Sequence, residues 1–170
     1  MEFAALIDRL ETHAAALRRI LESISDEQAA WRPEVGKWSM LEVAVHLLDE
    51  EREDFPARLK LLLESPEADW PSIDPAGWVE SRSYADRDLE VTMQDFVRER
   101  ARSVAWLRSL TTVDWELVYQ HPQLGALRAG DLLASWVAHD ALHLRQLAGL
   151  EWAWCRRLAK PFSPAYAGDW

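Results

Sequence analysis

Apolar residues recur every three or four positions along most of this chain, which is the spacing that lines one face of an α-helix. The pattern predicts four long amphipathic helices, over residues 3–24, 39–64, 86–110 and 130–158. The start of the second helix is supported by a capping box, since Ser39 is followed by Glu42 and then by a sustained apolar run. Four such helices without internal repeats predict an all-α fold, a four-helix bundle.

The connections between these helices carry the turn-forming residues. Residues 65–84 contain three prolines, one glycine and two tryptophans, which predicts a long, ordered, non-helical crossover packed on the bundle by its tryptophans. Pro56 lies inside the second predicted helix and predicts a kink there. Residues 115–119 are compatible with a short strand or a turn, and residues 121–125 with a turn.

Length and charge limit the class of protein. The 170 residues fit one domain spanning 1–170, and 29 acidic against 19 basic residues give a formal net charge of −10. This acidity argues against nucleic-acid partners and against anionic membrane surfaces. The acidic N-terminus, the lack of a long apolar run and the single Cys155 predict a cytoplasmic protein without a membrane span or a disulfide framework.

Three histidines are the candidate chemistry. His139 and His143 are one helical turn apart on the inward seam of the last helix, and His46 occupies an apolar position of the second helix. Three neutral imidazoles directed into one bundle are a ligand set for a divalent metal that keeps an open coordination position. The alternative is a metal-free core in which each buried imidazole has an ordinary hydrogen-bond partner.

Ligating histidines usually donate from their second ring nitrogen to a carboxylate, an amide or a carbonyl. The polar residues placed to accept that bond are Glu42, Glu50, Asp140 and Gln146. Of these, Glu50 and Asp140 are the candidate catalytic carboxylates, which would orient the histidines or relay a proton.

The other histidines fit a metal site less well. His13 is expected near the surface of the first helix, and His121 is expected in a turn from which it could reach a pocket rim. Aromatic residues are candidate pocket walls, although core packing is the commoner role for any one of them. The residues considered for such walls are Trp31, Trp38, Trp136 and Tyr119.

Three segments together resemble the DinB-like superfamily, which includes the YfiT-type hydrolases. They are the Trp38-Ser39 helix start with His46-Leu47, the run from His139 to Gln146, and the C-terminal tail 166–170. The resemblance covers essentially the whole chain and implies a four-helix bundle that is often dimeric. It also implies a metal held by three histidines, and the matching positions are His46, His139 and His143.

The resemblance implies a metal-dependent enzyme with a small-molecule substrate. Similar proteins include thiol S-transferases that use bacillithiol or mycothiol, so transfer of a low-molecular-weight thiol to a small electrophile and hydrolysis are both expected reactions. Zinc and nickel are the first candidates for the metal, with iron and manganese also compatible with imidazole ligands. The alternative is a non-catalytic, stress-associated metal-binding bundle or dimerisation module, and a homodimer is expected from the resemblance.

Overall fold

The computed structural model describes residues 3–168, in which four long helical rods form a bundle and shorter elements cover it. The helices are α1 (Phe3–Leu21), α2 (Asp26–Ala30), α3 (Met40–Glu53), α4 (Phe55–Glu64), α5 (Pro75–Ser81), α6 (Leu89–Ser109) and α7 (Ala129–Leu158). The strands are β1 (Val118–His121) and β2 (Gly125–Arg128), and 3₁₀ turns span Tyr84–Asp86 and Ala165–Ala167. The last two residues of the tail motif, Asp169 and Trp170, lie outside the described residues.

The four rods of the bundle are α1, α3 continued by α4, α6 and α7. Helix α1 packs against α6 and α7, and α3 packs against the same two helices, so that α1 faces α3 diagonally and α6 faces α7 diagonally. The predicted four-helix bundle is confirmed. No helix within residues 3–168 is long and apolar enough to cross a membrane.

The second predicted helix is interrupted rather than kinked. Helix α3 ends at Glu53, Asp54 adopts φ −115° and ψ −95°, and Pro56 is the second residue of α4. Proline has no N–H to donate and its ring clashes with the carbonyl four residues earlier, here that of Arg52. The chain therefore stops one helix and starts another at a new angle, instead of bending a continuous one.

Helix α3 is enclosed on all sides. Every residue from Met40 to Glu51 is buried, because α2, α5 and the Tyr84–Asp86 turn cover the face that points away from the bundle. The predicted capping box is present: Ser39 Oγ accepts from the Glu42 amide at 3.2 Å and Glu42 Oε2 accepts from the Ser39 amide at 2.8 Å.

Burial of α3 brings four acidic residues inside, and three of them face an arginine. The pairs are Glu42 with Arg32, Asp49 with Arg82 and Glu51 with Arg100. Glu50 differs, because no arginine forms an ion pair with it and its Oε1 has no hydrogen-bond partner among the described residues; its carboxyl group shares a hydrogen bond only with the neighbouring acid Asp54. Buried carboxylates are normally paired with a cation, so Glu50 calls for a functional explanation.

The 65–84 connection packs on the bundle through its tryptophans, as expected. Trp78 is buried in a cluster with Tyr84, and Trp70 stacks on Tyr119 with ring centroids 3.9 Å apart. The segment is not wholly irregular, because it contains the short helix α5, which the sequence analysis did not predict. Asp74 caps this helix by accepting a hydrogen bond from the Gly77 amide. Proline at the first helical position is compatible with such a start.

The strand interpretation of residues 115–119 is correct in part. Strands β1 and β2 form an antiparallel hairpin in which Tyr119 pairs with Leu127 and His121 with Gly125. Gly125 has φ +76°, a conformation that glycine adopts without steric cost. The hairpin brings Tyr119 and His121 beside Trp70 of the preceding connection.

Candidate metal centre

The three predicted histidines meet between α3 and α7. His46 Nε2 lies 3.3 Å from His139 Nε2, and His143 Nε2 lies 3.1 Å from the same atom. One nitrogen from each ring falls within 4.8 Å of the other two. His46 and His143 are buried, whereas His139 is half-buried, so the cluster meets solvent at His139.

This geometry fits a divalent cation. Two nitrogens bound to zinc at 2.0–2.1 Å with a tetrahedral angle lie about 3.3 Å apart, close to the two Nε2 distances that involve His139. Without a cation the arrangement leaves nitrogen lone pairs unsatisfied. The one proton that a neutral His139 can carry on Nε2 reaches only one of the two neighbouring Nε2 atoms.

The imidazoles are held in the neutral form that a metal requires. Burial, and then the neighbouring His143 and His139 rings, lower the pKa of His46 to about 3. Burial and the His143 ring lower the pKa of His139 to about 4. Burial also lowers the pKa of His143, although its hydrogen bond to Gln146 acts in the opposite direction.

The outer ring nitrogens meet two of the predicted partners. His143 Nδ1 donates to Gln146 Oε1 at 2.8 Å, which places the proton on Nδ1 and frees the His143 Nε2 lone pair for a metal. His46 Nδ1 is 4.0 Å from Glu50 Oε1, and neither atom has a hydrogen-bond partner among the described residues. Glu42 is not a partner, since it is engaged by Arg32 and by the Ser39 amide.

Glu50 sits in surroundings that disfavour its charge. Burial, and then the neighbouring Asp54 carboxylate, raise the pKa of Glu50 to about 9, and Arg58 offsets this only in part. Asp54 itself is ion-paired with Arg58, with Oδ1 2.6 Å from Nε. The carboxyl group next to His46 is therefore protonated at neutral pH in the metal-free protein.

Asp140, the other predicted carboxylate, is directed away from the cluster of His46, His139 and His143 and towards Arg100 and His13. It accepts two hydrogen bonds from Arg100, at 2.6 and 2.9 Å, and lies 3.7 Å from His13 Nδ1. Burial acts to raise its pKa, but His13 and Arg100 outweigh that effect and the pKa is lowered. His13 is half-buried and its Nδ1 faces the interior, so the expectation that it lies near the surface is correct only in part.

Arg100 connects all four rods of the bundle through hydrogen bonds near Asp140. From α6 it donates to Glu51 on α3 at 2.8 Å, to the Leu10 carbonyl on α1 at 3.0 Å and to Asp140 on α7. Glu51 also accepts from Trp136 Nε1 at 3.2 Å. Burial raises the pKa of Glu51, and the charge of Arg100 with the hydrogen bonds from Ser103 and Arg100 offsets that effect only in part.

Aromatic rings enclose the histidines on two sides. Trp38 lies 5.0 Å from the His46 ring and Phe55 lies 5.1 Å from the His139 ring, measured between centroids. Trp136 is fully buried behind Phe55. The sequence analysis considered Trp38 and Trp136 as pocket walls but missed Phe55. The signal for Phe55 was its position directly before Pro56, where the helix is interrupted.

The remaining candidate walls lie elsewhere. Trp31 packs on Trp154 at 5.4 Å and belongs to a separate cluster with Arg157. Tyr119 and His121 lie on a cleft with Trp70, in keeping with the expectation that His121 could reach a pocket rim.

Three comparisons with known proteins, by family profile, by sequence and by fold, agree with one another. A sequence profile of the DinB superfamily matches residues 9–147. A relative from Oceanobacillus iheyensis, named "putative metal-dependent hydrolase", is 24% identical over 151 residues, which is 89% of this chain and 84% of the relative. The fold is similar to that of YfiT from Bacillus subtilis, with a TM-score of 0.80 and 23% identity over 93% of this chain and 88% of that one. YfiT is described as "a probable metal-dependent hydrolase with an unusual four-helix bundle topology".

Proposed function

This chain belongs to the DinB superfamily, and on that premise we propose that it is a metal-dependent enzyme whose cation is held by His46, His139 and His143. The observation that carries the proposal is the approach of three neutral imidazole Nε2 atoms to one another, with the outer nitrogen of His143 engaged by Gln146. A purely structural zinc normally has four protein ligands, often cysteines. Three histidines, with the single cysteine exposed in another part of the chain, favour an open catalytic site.

A divalent cation in this position would lower the pKa of a bound water towards about 7, or hold a bound thiol as the thiolate, and so supply a nucleophile at neutral pH. The side chains of the protein prepare the site. Burial keeps the imidazoles unprotonated, Gln146 orients His143, and Trp38 and Phe55 exclude water from the two sides of the cluster.

The two carboxylates have positioning roles in this proposal. Glu50 Oε1 is the acceptor available to His46 Nδ1, whose proton is fixed there when Nε2 binds a metal. Asp140 follows His139 in sequence and is clamped by Arg100, which fixes the rotation of α7 and with it the direction of both α7 histidines. Neither carboxylate is assigned contact with substrate.

We propose hydrolysis of a small substrate as the reaction, because both relatives named above are described as hydrolases. Transfer of a low-molecular-weight thiol is the second candidate, since the same ligand set would lower the pKa of a bound thiol. In both reactions the nucleophile is activated at the same place, so one set of variants tests both.

The first experiment measures metal content in protein purified without a histidine tag. We expect about one zinc, nickel, manganese or iron per chain, and its loss in His143→Ala and in His46→Ala. His121→Asn is the matched control, because it removes a histidine outside the cluster and should leave the metal content unchanged. Untagged protein that takes up no metal even after supplementation would overturn the proposal.

The second experiment measures turnover of the metal-loaded protein. Carboxylic esters, amides and lactones test hydrolysis, and cysteine or a sugar thiol with small electrophiles tests thiol transfer. We expect turnover that is removed by chelation and restored by metal, and that is absent in His143→Ala. A metal-loaded protein inactive in both panels would favour the non-catalytic metal-binding bundle instead.

A further inference from the structure

A cleft of about 280 Å³ lies between the hairpin and the chain that follows α4. Its lining comes from three separate segments: Arg58 of α4, Trp70 and its neighbours in the connection, and Tyr119 with His121 to Gln123 of the hairpin and its turn. The cleft is thus a product of the tertiary fold rather than of one local turn. The proposed metal centre does not use it.

Aromatic rings form one wall of the cleft. Trp70 and Tyr119 are stacked at 3.9 Å with 5° between their planes, and His121 meets both rings edge-on at 6.1 and 6.4 Å. The Tyr119 hydroxyl accepts from the Trp70 amide at 3.3 Å, which fixes the pair. Parallel rings in a half-open cleft suit a flat, unsaturated ligand.

Arg58 contributes positive charge to the same cleft. Its guanidinium lies 5.0 Å from the centroid of the Trp70 ring, and its Nε forms the ion pair with Asp54. That pairing engages one edge of the guanidinium and leaves Nη1 and Nη2 for a ligand. A planar guanidinium with two parallel N–H groups matches a carboxylate.

His121 supplies a further donor. Its Nδ1 accepts from the Gln123 amide and the Leu124 amide, both at 3.2 Å, so the proton of the neutral ring is on Nε2. Trp70 Nε1 is also a donor, and it is buried without a hydrogen-bond partner among the described residues.

From this combination we propose that the cleft binds a planar carboxylate, that is, an aromatic or conjugated acid. The ring of the ligand packs beside the Trp70–Tyr119 pair, because Tyr119 and Arg58 both already lie over the Trp70 ring, and its carboxylate accepts hydrogen bonds from Arg58 and His121. Flat shape and negative charge are recognised by different residues, so each can be removed separately.

The cleft and the histidine cluster are connected through the start of α4. Phe55 contacts the His139 ring, and Asp54 joins Arg58 to the surroundings of Glu50. If the proposed function holds, on which this last step rests, the planar acid is the substrate portion that positions a reacting bond towards the histidines. Binding to the cleft itself does not require the metal.

The test is calorimetric titration of the chelator-treated protein with benzoate, with benzamide as the neutral planar probe and acetate as the non-aromatic carboxylate. We expect benzoate to bind more tightly than either. Arg58→Met should weaken benzoate binding by about tenfold or more, the scale of one charge-assisted hydrogen bond. His121→Asn should weaken it by about threefold to tenfold, because Asn keeps an acceptor for the turn amides and lacks the Nε2 donor.

Arg157→Met is the matched control, since Arg157 also lies over a tryptophan, Trp154 at 4.7 Å, but outside the cleft. Circular dichroism and a thermal melt show whether each variant is folded. The proposal is overturned if benzoate fails to bind, if neither cleft variant weakens it, or if binding appears only with metal and disappears in His143→Ala. A protein that binds benzoate but no metal would refute the proposed metal centre and leave the cleft assignment standing.

Discussion

Replacement of Arg100 by methionine is expected to cost more stability than any exposed charge change in this protein. Arg100 is 2% exposed, and its four hydrogen bonds reach Glu51, Asp140 and the Leu10 carbonyl. Methionine fills a similar volume, so the packing loss is small. The main effect is to leave two buried carboxylates without their cation.

Removal of one partner from a buried ion pair typically costs roughly 3–5 kcal/mol. Both Glu51 and Asp140 side chains are 0% exposed, which places Arg100→Met in that range at neutral pH. Arg52→Met is the control, because Arg52 forms its ion pair with Asp95 at a side-chain exposure of 38%. Such a surface pair contributes about 1 kcal/mol or less.

The cost should also depend on pH. In the wild type the pKa of Asp140 is lowered, so its contribution is present above the unfolded pKa and is lost as the pH falls through the folded pKa. In Arg100→Met burial raises the pKa of both carboxyl groups above their unfolded values. The destabilisation of the variant relative to the wild type therefore shrinks between about pH 8 and pH 5.

Urea unfolding in the presence of a chelator, followed by circular dichroism, gives the free energy of unfolding at both pH values. Arg100→Met combined with Glu51→Gln and Asp140→Asn should recover much of the loss, because it removes the charges that were left unpaired. If Arg100→Met costs no more than Arg52→Met, or if its cost grows as the pH falls, the account of the buried network is wrong.

Three further predictions concern the metal-free protein in urea unfolding. First, its free energy of unfolding should fall by roughly 2 kcal/mol per pH unit below about pH 6. The folded pKa values of His46 and His139 lie near 3 and 4, so both rings take up protons when the protein unfolds. Replacement of both histidines by glutamine should flatten this slope. Second, Glu50→Gln should stabilise the protein at pH 7 by roughly 2 kcal/mol, and this gain should grow from about pH 5 to pH 8. The reason is that a carboxyl group with a folded pKa of about 9 must take up a proton on folding. A variant less stable than the wild type would contradict this. Ser39→Ala should cost about 1 kcal/mol through loss of the acceptor for the Glu42 amide, whereas Ser39→Thr should cost less.

The parts of the structure that the sequence predicted are those set by local spacing. The Ser39 and Glu42 capping box and the one-turn separation of His139 and His143 follow from helix geometry alone. The convergence of His46 on that pair came from the resemblance and from its apolar neighbourhood. All three predictions concern residues whose neighbours in space are largely fixed once the helices and bundle are assumed.

The parts that the sequence did not predict depend on packing between distant segments. Glu50 and Asp140 were both candidates for a place beside a histidine, with Glu50 the stronger of the two, and the rotation of α7 against α6 separates them by pairing Asp140 with Arg100. A signal for that pairing was present, since Arg100 occupies an apolar seam position of its helix. The cleft around Trp70 was not predicted either, because its walls come from segments that no periodic pattern connects.

The enclosure of α3 determines how ions and solvent can reach the histidines. Amide protons of a helix that is buried on every side exchange with water mainly when the whole domain unfolds. Helix α7 is different, since Ala138 and Leu142 beside its two histidines are exposed. An incoming ion, and a chelator that removes it, are therefore expected to reach the cluster at His139, which is half-buried, rather than at His46.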